Sequence, residues 1–352
     1  MLLEHLGKAR YSIDGRIGSS YGSCGGTYAG TNLANGRNVA IKLVSLELID
    51  PDDILKEARL LISLRHKLLM EPAEYCTFKH VLCTVNNLMD LGSVDRVLKN
   101  CYPTGISEKA IASILSQLVQ AVTYIHDQHY VHRAIRCSHI MIRSNGYMKL
   151  GGFRHAISLK RGWFEENERA YSIDCKLVNS LCWAAPEVLA QDLNGYDYRS
   201  DIYSIGITLC EMANGFAPFT DMSTLQMLYE KQRGTVPHLL DVVTVQEDGG
   251  SDFAGDVEYR QKRYSDALHE LVSSCLSNNV ESRPSLKAIA ANSFIRKNLG
   301  RKGKIVSFAT LLPYAKSLTP FPQDLEEFDE KDELKLLKVE EARYDEKYQW
   351  IS

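Results

Sequence analysis

An α+β architecture, a small sheet-rich lobe followed by a larger helical one, is what this chain of 352 residues predicts. Two patterns carry that expectation. Before residue 90, β-rich runs such as Asn38-Val39-Ala40-Ile41-Lys42-Leu43-Val44 and His80-Val81-Leu82-Cys83-Thr84-Val85 flank a single helical segment. From Ser107 onward, apolar residues recur at the spacing of one helix face instead of alternating.

The helical segment inside the strand-rich part spans 52–65 and puts Ile54, Leu55, Ala58, Leu61 and Ile62 on one face, as a helix packed on a sheet requires. In the second part, Ala110, Ile111, Ile114, Leu115, Leu118, Val119, Val122 and Ile125 form an apolar stripe. Further apolar helices are expected at 200–212 and 264–276. Residues 246–255, rich in Gly and Asp, read as a surface loop. The expected organisation is an N-terminal extension over 1–10, a small lobe over about 11–89, a large lobe over about 90–298, and a charged tail over 299–352. The tail's dense Glu, Asp and Lys between 324 and 346 suit a solvated helix or a disordered segment.

Forty-one basic and forty-four acidic residues leave a formal charge of −3, which offers no footprint for nucleic acid. Nine cysteines without metal-ligand spacing fit free thiols in a reducing compartment better than a disulfide framework. The first residues lack the apolar region of a secretion signal, and no stretch approaches the roughly 20 apolar residues needed to span a bilayer. The expectation is a soluble protein, cytoplasmic and nuclear, without membrane partners.

Two short segments decide the chemistry. His132-Arg133-Ala134-Ile135-Arg136-Cys137-Ser138-His139 is followed by Lys149-Leu150-Gly151-Gly152-Phe153-Arg154. They resemble the two active-site signatures of protein kinases, in which one Asp orients the substrate hydroxyl while an Asn and a second Asp hold magnesium. At those three positions this chain carries Ala134, His139 and Gly152. Neither a methyl group nor a hydrogen supplies the oxygen ligands that a hard cation needs, so phosphoryl transfer is expected to be lost.

Other parts of the kinase pattern are kept. Val39-Ala40-Ile41-Lys42 matches the strand whose lysine grips phosphates, and Glu57 stands where the partner glutamate belongs. The glycine-rich stretch from Gly18 to Gly26 fits G-x-G-x-x-G only in part. In register with Lys42 the frame is Ser20-x-Gly22-x-x-Gly25, and an ordinary turn is the competing reading. Ala184-Ala185-Pro186-Glu187, Asp201-Ile202-Tyr203-Ser204-Ile205-Gly206 and Arg283-Pro284 follow in kinase order. Glu187 and Arg283 are expected to form a bidentate pair, and Asp201 to accept backbone donors from the His132-Arg133 loop.

Gly195-Tyr196-Asp197, Ser200 through Thr208, Asn214-Gly215, Pro218-Phe219, Asp221-Met222, Gln226-Met227-Leu228 and Gly234-Thr235-Val236-Pro237 narrow the resemblance, together with Tyr130-Val131-His132-Arg133, Ser138-His139-Ile140 and Gly152-Phe153-Arg154. In these the chain resembles the Sterile-20-related adaptor (STRAD) pseudokinases, over roughly residues 11–294. It departs from them at Lys42, where some members carry Arg, in the short 246–262 loop and at the C-terminus.

The resemblance implies a two-lobed protein-kinase-like fold in which bound ATP acts as a conformational clamp, and the basic residues in place of the acids point to binding without magnesium. The nucleotide-binding residues it implies are Gly18, Gly22, Gly25, Ala40, Lys42, Glu57, Asn87, Met89, Arg136, His139, Met141 and Arg154. Arg154, with Arg136 and His139, is expected to meet the phosphates, the alternative being that Arg154 faces solvent or an acid of the activation segment. The resemblance further implies a hetero-oligomer with a liver-kinase-B-type Ser/Thr kinase, held active by this chain, and a Mo-type helical-repeat scaffold protein. Trp350 resembles the family's terminal Trp-Glu-Phe anchor for the scaffold, although Ile351 and Ser352 follow it, and a stray tail aromatic is the other reading. The rival to the adaptor is an atypical Ser/Thr kinase with residual phosphotransfer, for which the retained Lys42 and Glu57 speak.

Overall fold

The computed structural model describes residues 11–20, 25–47, 51–78, 80–161, 168–170, 180–190, 195–244, 259, 261–299 and 306–318. The chain forms two compact units, one from residues 1–65, 70–90 and 317–352, the other from 66–69 and 91–316. The loop expected at 246–255, the charged run at 324–346 and Trp350 lie outside the described residues.

The first unit is a five-stranded antiparallel sheet. Its strands are β1 (Tyr11–Ser20), β2 (Gly25–Asn32), β3 (Arg37–Ser45), β4 (Glu74–Phe78) and β5 (Val81–Asn87), in the order β1-β2-β3-β5-β4. The helix α1 (Pro51–Ser63) connects β3 towards β4. Tyr11, Tyr28, Val39, Ile41, Val81, Cys83 and Val85 make one buried cluster on the sheet. Val44 and Leu82 join Tyr75 and the α1 residues Ile54 and Ala58 in a second. Alternation along β3 buries Val39 and Ile41 and so places Ala40 and Lys42 together on the other side. Lys42 lies opposite Thr27 of β2 and Thr84 of β5.

In the second unit, β6 (Gly92–Ser93) leads directly into α2 (Val94–Cys101), whose first turn is capped by the Ser93 hydroxyl accepting from Arg96 N. The long helix α3 (Glu108–Asp127) carries the apolar stripe legible in the sequence, and twelve of its residues are buried. The Gln117 side chain of α3 donates to Gly146 O at 2.9 Å and accepts from Met148 N at 3.1 Å. That pair holds the turn between β8 (Ile140–Ile142) and β9 (Met148–Leu150), which form a three-stranded sheet with β6. β7 (Tyr130–Val131) pairs with β10 (Ile157–Ser158).

Beyond these lie α4 (Pro186–Leu189), α5 (Arg199–Asn214), α6 (Thr224–Arg233), α7 (Asp266–Cys275), α8 (Leu286–Ala290) and α9 (Ser293–Leu299). Every residue of α5 from Ser200 to Asn214 is buried, so it is a central helix with no solvent face. Among the described residues no helix is long and apolar enough to cross a membrane. Packing also continues past the expected large-lobe boundary at 298. In α10 (Phe308–Leu311) Phe308 is fully buried, as is Leu312 just beyond it, and Ser307 and Ala309 donate to Ser144 O.

Candidate functional site

The loop after β7 is organised from below by one carboxylate. Asp201, at the start of α5 and wholly buried, accepts from His132 N and Arg133 N at 2.9 Å each and from His126 Nε2 at 2.9 Å. Burial alone would push its carboxyl up. The His126 bond and charge, with His132, outweigh that and hold it below the usual carboxylate value. Arg133 sits at φ 63°, a conformation costly for a side-chain-bearing residue. It is kept there by Asp201 and by its own guanidinium, which donates to His155 O at 2.6 Å and Tyr196 Oη at 3.0 Å.

The frame is thus firm, and its centre carries no carboxylate. Ala134 is buried, and its carbonyl accepts from His139 Nδ1 at 2.7 Å. Because a carbonyl only accepts, Nδ1 bears the imidazole proton and Nε2 is the acceptor facing Arg136 Nη2 at 3.2 Å. Burial, and then the Arg136 charge, push the His139 pKa well below its ordinary value, so the ring is neutral. Gly152 lies beside it at φ 80°, and a Cβ there would fall 2.3 Å from His139 Nδ1. The imidazole therefore fills the space that a side chain at position 152 would need.

This changes the reading of His139 as a phosphate-facing donor, since both ring nitrogens are engaged inside its own loop. The residues present do not fit magnesium either: the oxygen donors such an ion needs are replaced by a methyl group, a neutral ring and a glycine. Among the described residues no group of three His, Cys, Asp or Glu side chains is placed to hold a metal ion.

Arg136 is half-buried and stacks over the Trp183 ring at 5.3 Å. Arg154 lies in the short turn Phe153–His155, whose Phe153 is buried edge-on against His132. Met141 is the half-buried middle residue of β8. In the first unit Ala40, Lys42 and Glu57 are half-buried, Asn87 ends β5 opposite Val39, and Met89 is buried. Gly18 and Gly25 lie on β1 and β2, with open space around Gly18, while Gly22 falls outside the described residues.

Glu187 and Arg283 form a bidentate pair at 2.6 and 2.8 Å, with the guanidinium also donating to Arg199 O and Ser277 O. Two further charged residues escaped sequence reasoning. Glu211, buried on α5, accepts from Cys137 N at 3.1 Å and Trp183 Nε1 at 2.8 Å, and burial pushes its carboxyl up. Lys231 of α6 is buried against the carbonyls of Leu181, Cys182 and Ala184. A charge inside an apolar helical run was the available signal for Glu211. Nothing local marked Lys231.

The protein kinase domain family matches residues 11–295. Among curated relatives, STE20-related kinase adapter protein strd-1 of Caenorhabditis elegans is 35% identical over 272 residues, covering 74% of this chain and 69% of its own. STE20-related kinase adapter protein alpha of Gallus gallus is 37% identical over 243 residues, 61% of each chain. The beta protein of Homo sapiens is 29% identical over 318 residues, covering 82% of this chain and 76% of its own. The chain thus spans less than two thirds of the alpha protein's length. With the kinase frame intact around Asp201 and the centre rebuilt around His139, this chain belongs to the protein kinase domain family and, within it, to the STE20-related kinase adapters.

Proposed function

We propose that this chain is a non-catalytic kinase-fold adaptor that binds a liver-kinase-B-type Ser/Thr kinase and stabilises its active conformation, with a Mo-type helical-repeat scaffold as third component. The observation that carries the reading is the His139 ring standing against Gly152, with Ala134 where an aspartate would orient a hydroxyl. Kinase catalysis is mostly positioning and charge stabilisation, and that arrangement leaves neither the base nor the metal ligands to provide it. The names of the relatives, kinase adapters, support the same role.

We infer that ATP binds without magnesium. When bound it supplies a triphosphate anion, and Lys42 on β3 and Arg154 beside Gly152 are cations at the predicted positions, with Arg136 stacked on Trp183. A ligand that prefers one conformation of the chain shifts its population towards that form without turnover. The partner would grip the large unit around the anchored end of the activation segment near Glu187, and the complex would act in the cytoplasm and nucleus.

The test has two arms. Thermal shift with ATP in EDTA should show stabilisation, and none would remove the metal-free ligand. Assay of the partner kinase with and without this chain should show activation, while phosphate transfer by the purified chain itself, absent from a Lys42→Met control, would overturn the adaptor reading.

A further inference from the structure

The end of the activation segment, residues 180–185, is held by a device that the kinase motifs do not include. Its carbonyl oxygens each have a partner. Ser180 O accepts from Trp183 N and Ala184 N, Trp183 O accepts from Ser204 Oγ at 2.9 Å, and Ala185 O accepts from Val188 N and Leu189 N. The carbonyls of Cys182 and Ala184, and that of Leu181, which also accepts from Ala184 N at 3.2 Å, converge on a single place. Lys231 Nζ occupies it, at 2.6, 2.8 and 3.1 Å.

An ammonium carries three hydrogens, and here three carbonyl oxygens meet them. A neutral amine has two hydrogens and a lone pair, which would oppose one of those oxygens. Arginine's planar fork does not match three acceptors converging on a point. The rings of Tyr203 and Phe219 flank the ammonium at 5.1 and 5.5 Å, and the residue is 1% exposed. Gln232, next in sequence, donates to Pro186 O at 3.1 Å, so α6 ties the segment at a second point.

The pinned turn reaches the rebuilt centre through Trp183. Its flanking carbonyls, those of Cys182 and Ala184, are two of the three that Lys231 holds. Its indole N–H donates to Glu211, which also accepts from Cys137 N, while its ring lies under Arg136, the residue that donates to His139.

We propose that Lys231 is a positioning residue, an internal cationic pin that sets residues 181–184 and, through Trp183, orients Arg136 and the His139 loop. Resting on the adaptor reading, the pinned turn is the part of the chain that is shaped for the partner kinase in advance of binding. Loss of the pin would leave the carbonyls of Cys182 and Ala184 without this donor and that of Leu181 with Ala184 N alone, and the turn would open to let water reach them.

The experiment uses the full chain with Trp163→Phe and Trp350→Phe, which leaves Trp183 as the sole tryptophan of three. Lys231→Met is expected at least to double acrylamide quenching of Trp183 and to weaken partner-kinase binding about tenfold. Lys231→Arg should fail to restore either. Should Lys231→Met not fold, the parent protein still decides the matter, because the Trp183 signal should titrate as the ammonium is lost. The titratable groups facing that ammonium are Cys182 of the segment, Glu187 of α4 and Tyr203 of α5, with Glu187 already paired to Arg283. Unchanged quenching in the variant, or a flat titration of the parent, overturns the pin. A loosened Trp183 with unchanged partner affinity overturns the turn's part in docking and leaves the adaptor reading standing.

Discussion

His139 and Gly152 exclude one another's alternatives: the imidazole stands where a Cβ on residue 152 would fall, at 2.3 Å from Nδ1. Gly152→Asp alone should therefore destabilise the chain by about 1–3 kcal/mol, from the clash and from a φ of 80° that favours glycine. Adding His139→Asn should recover the clash component. Urea denaturation of the three proteins checks this, and equal stability of single and double variants would contradict it. Neither should transfer phosphate, because Ala134 still lacks the orienting carboxylate.

The Glu187–Arg283 pair should be among the costliest to break. Arg283 is fully buried at its side chain and Glu187 nearly so. Arg283→Ala leaves a carboxylate without its partner in the interior, a loss of about 3–5 kcal/mol. Arg283→Lys should keep the charge, lose the fork geometry, and fall between the native chain and Arg283→Ala in a denaturant titration.

Asp201 has its folded pKa below the unfolded value. Its contribution to stability is then fully present above the unfolded value of about 3.9 and is lost as pH falls through the lower folded one. Asp201→Asn should flatten that acid limb and cost about 1.5–3 kcal/mol at neutral pH, since an amide NH2 cannot accept from the loop's N–H groups. Stability curves of both proteins between pH 2 and 7 give the comparison.

Lys231 shifts in the same direction as Asp201, but here the shift disfavours the charged form. Burial brings its ammonium down to about 7, so the folded chain gives up this proton before the unfolded chain does. Raising pH through that value should loosen residues 181–184, seen as faster amide exchange relative to the intrinsic rate. Global stability should not fall with it, because the unfolded state binds the extra proton over that range. A parallel loss of both would show that the turn has no separate titration.

Nucleotide affinity should follow arginine and not histidine. Arg154→Ala is expected to weaken ATP binding in EDTA about tenfold, the worth of one charge-assisted hydrogen bond. His139→Gln should have a smaller effect, since the neutral ring's nitrogens are already engaged by Ala134 and Arg136. Calorimetric titration distinguishes them, and a greater loss at His139 would place that ring on the phosphates.

The residue order alone determined the α+β class, the sheet-then-helix arrangement and the loss of the acids at Ala134 and Gly152. Those features are local: strand and helix periodicity repeat within a few residues, and the kinase signatures keep fixed spacing within single loops. The same holds for Glu187, Arg283 and Asp201, whose roles follow from motif position. The neutral state of His139 depends instead on burial and on Arg136, and the fit of its ring against Gly152 on two segments meeting in space. Only tertiary structure brought Lys231 to three carbonyls some fifty positions away and Ser307 to Ser144, because burial and desolvation are properties of a neighbourhood that no stretch of chain contains.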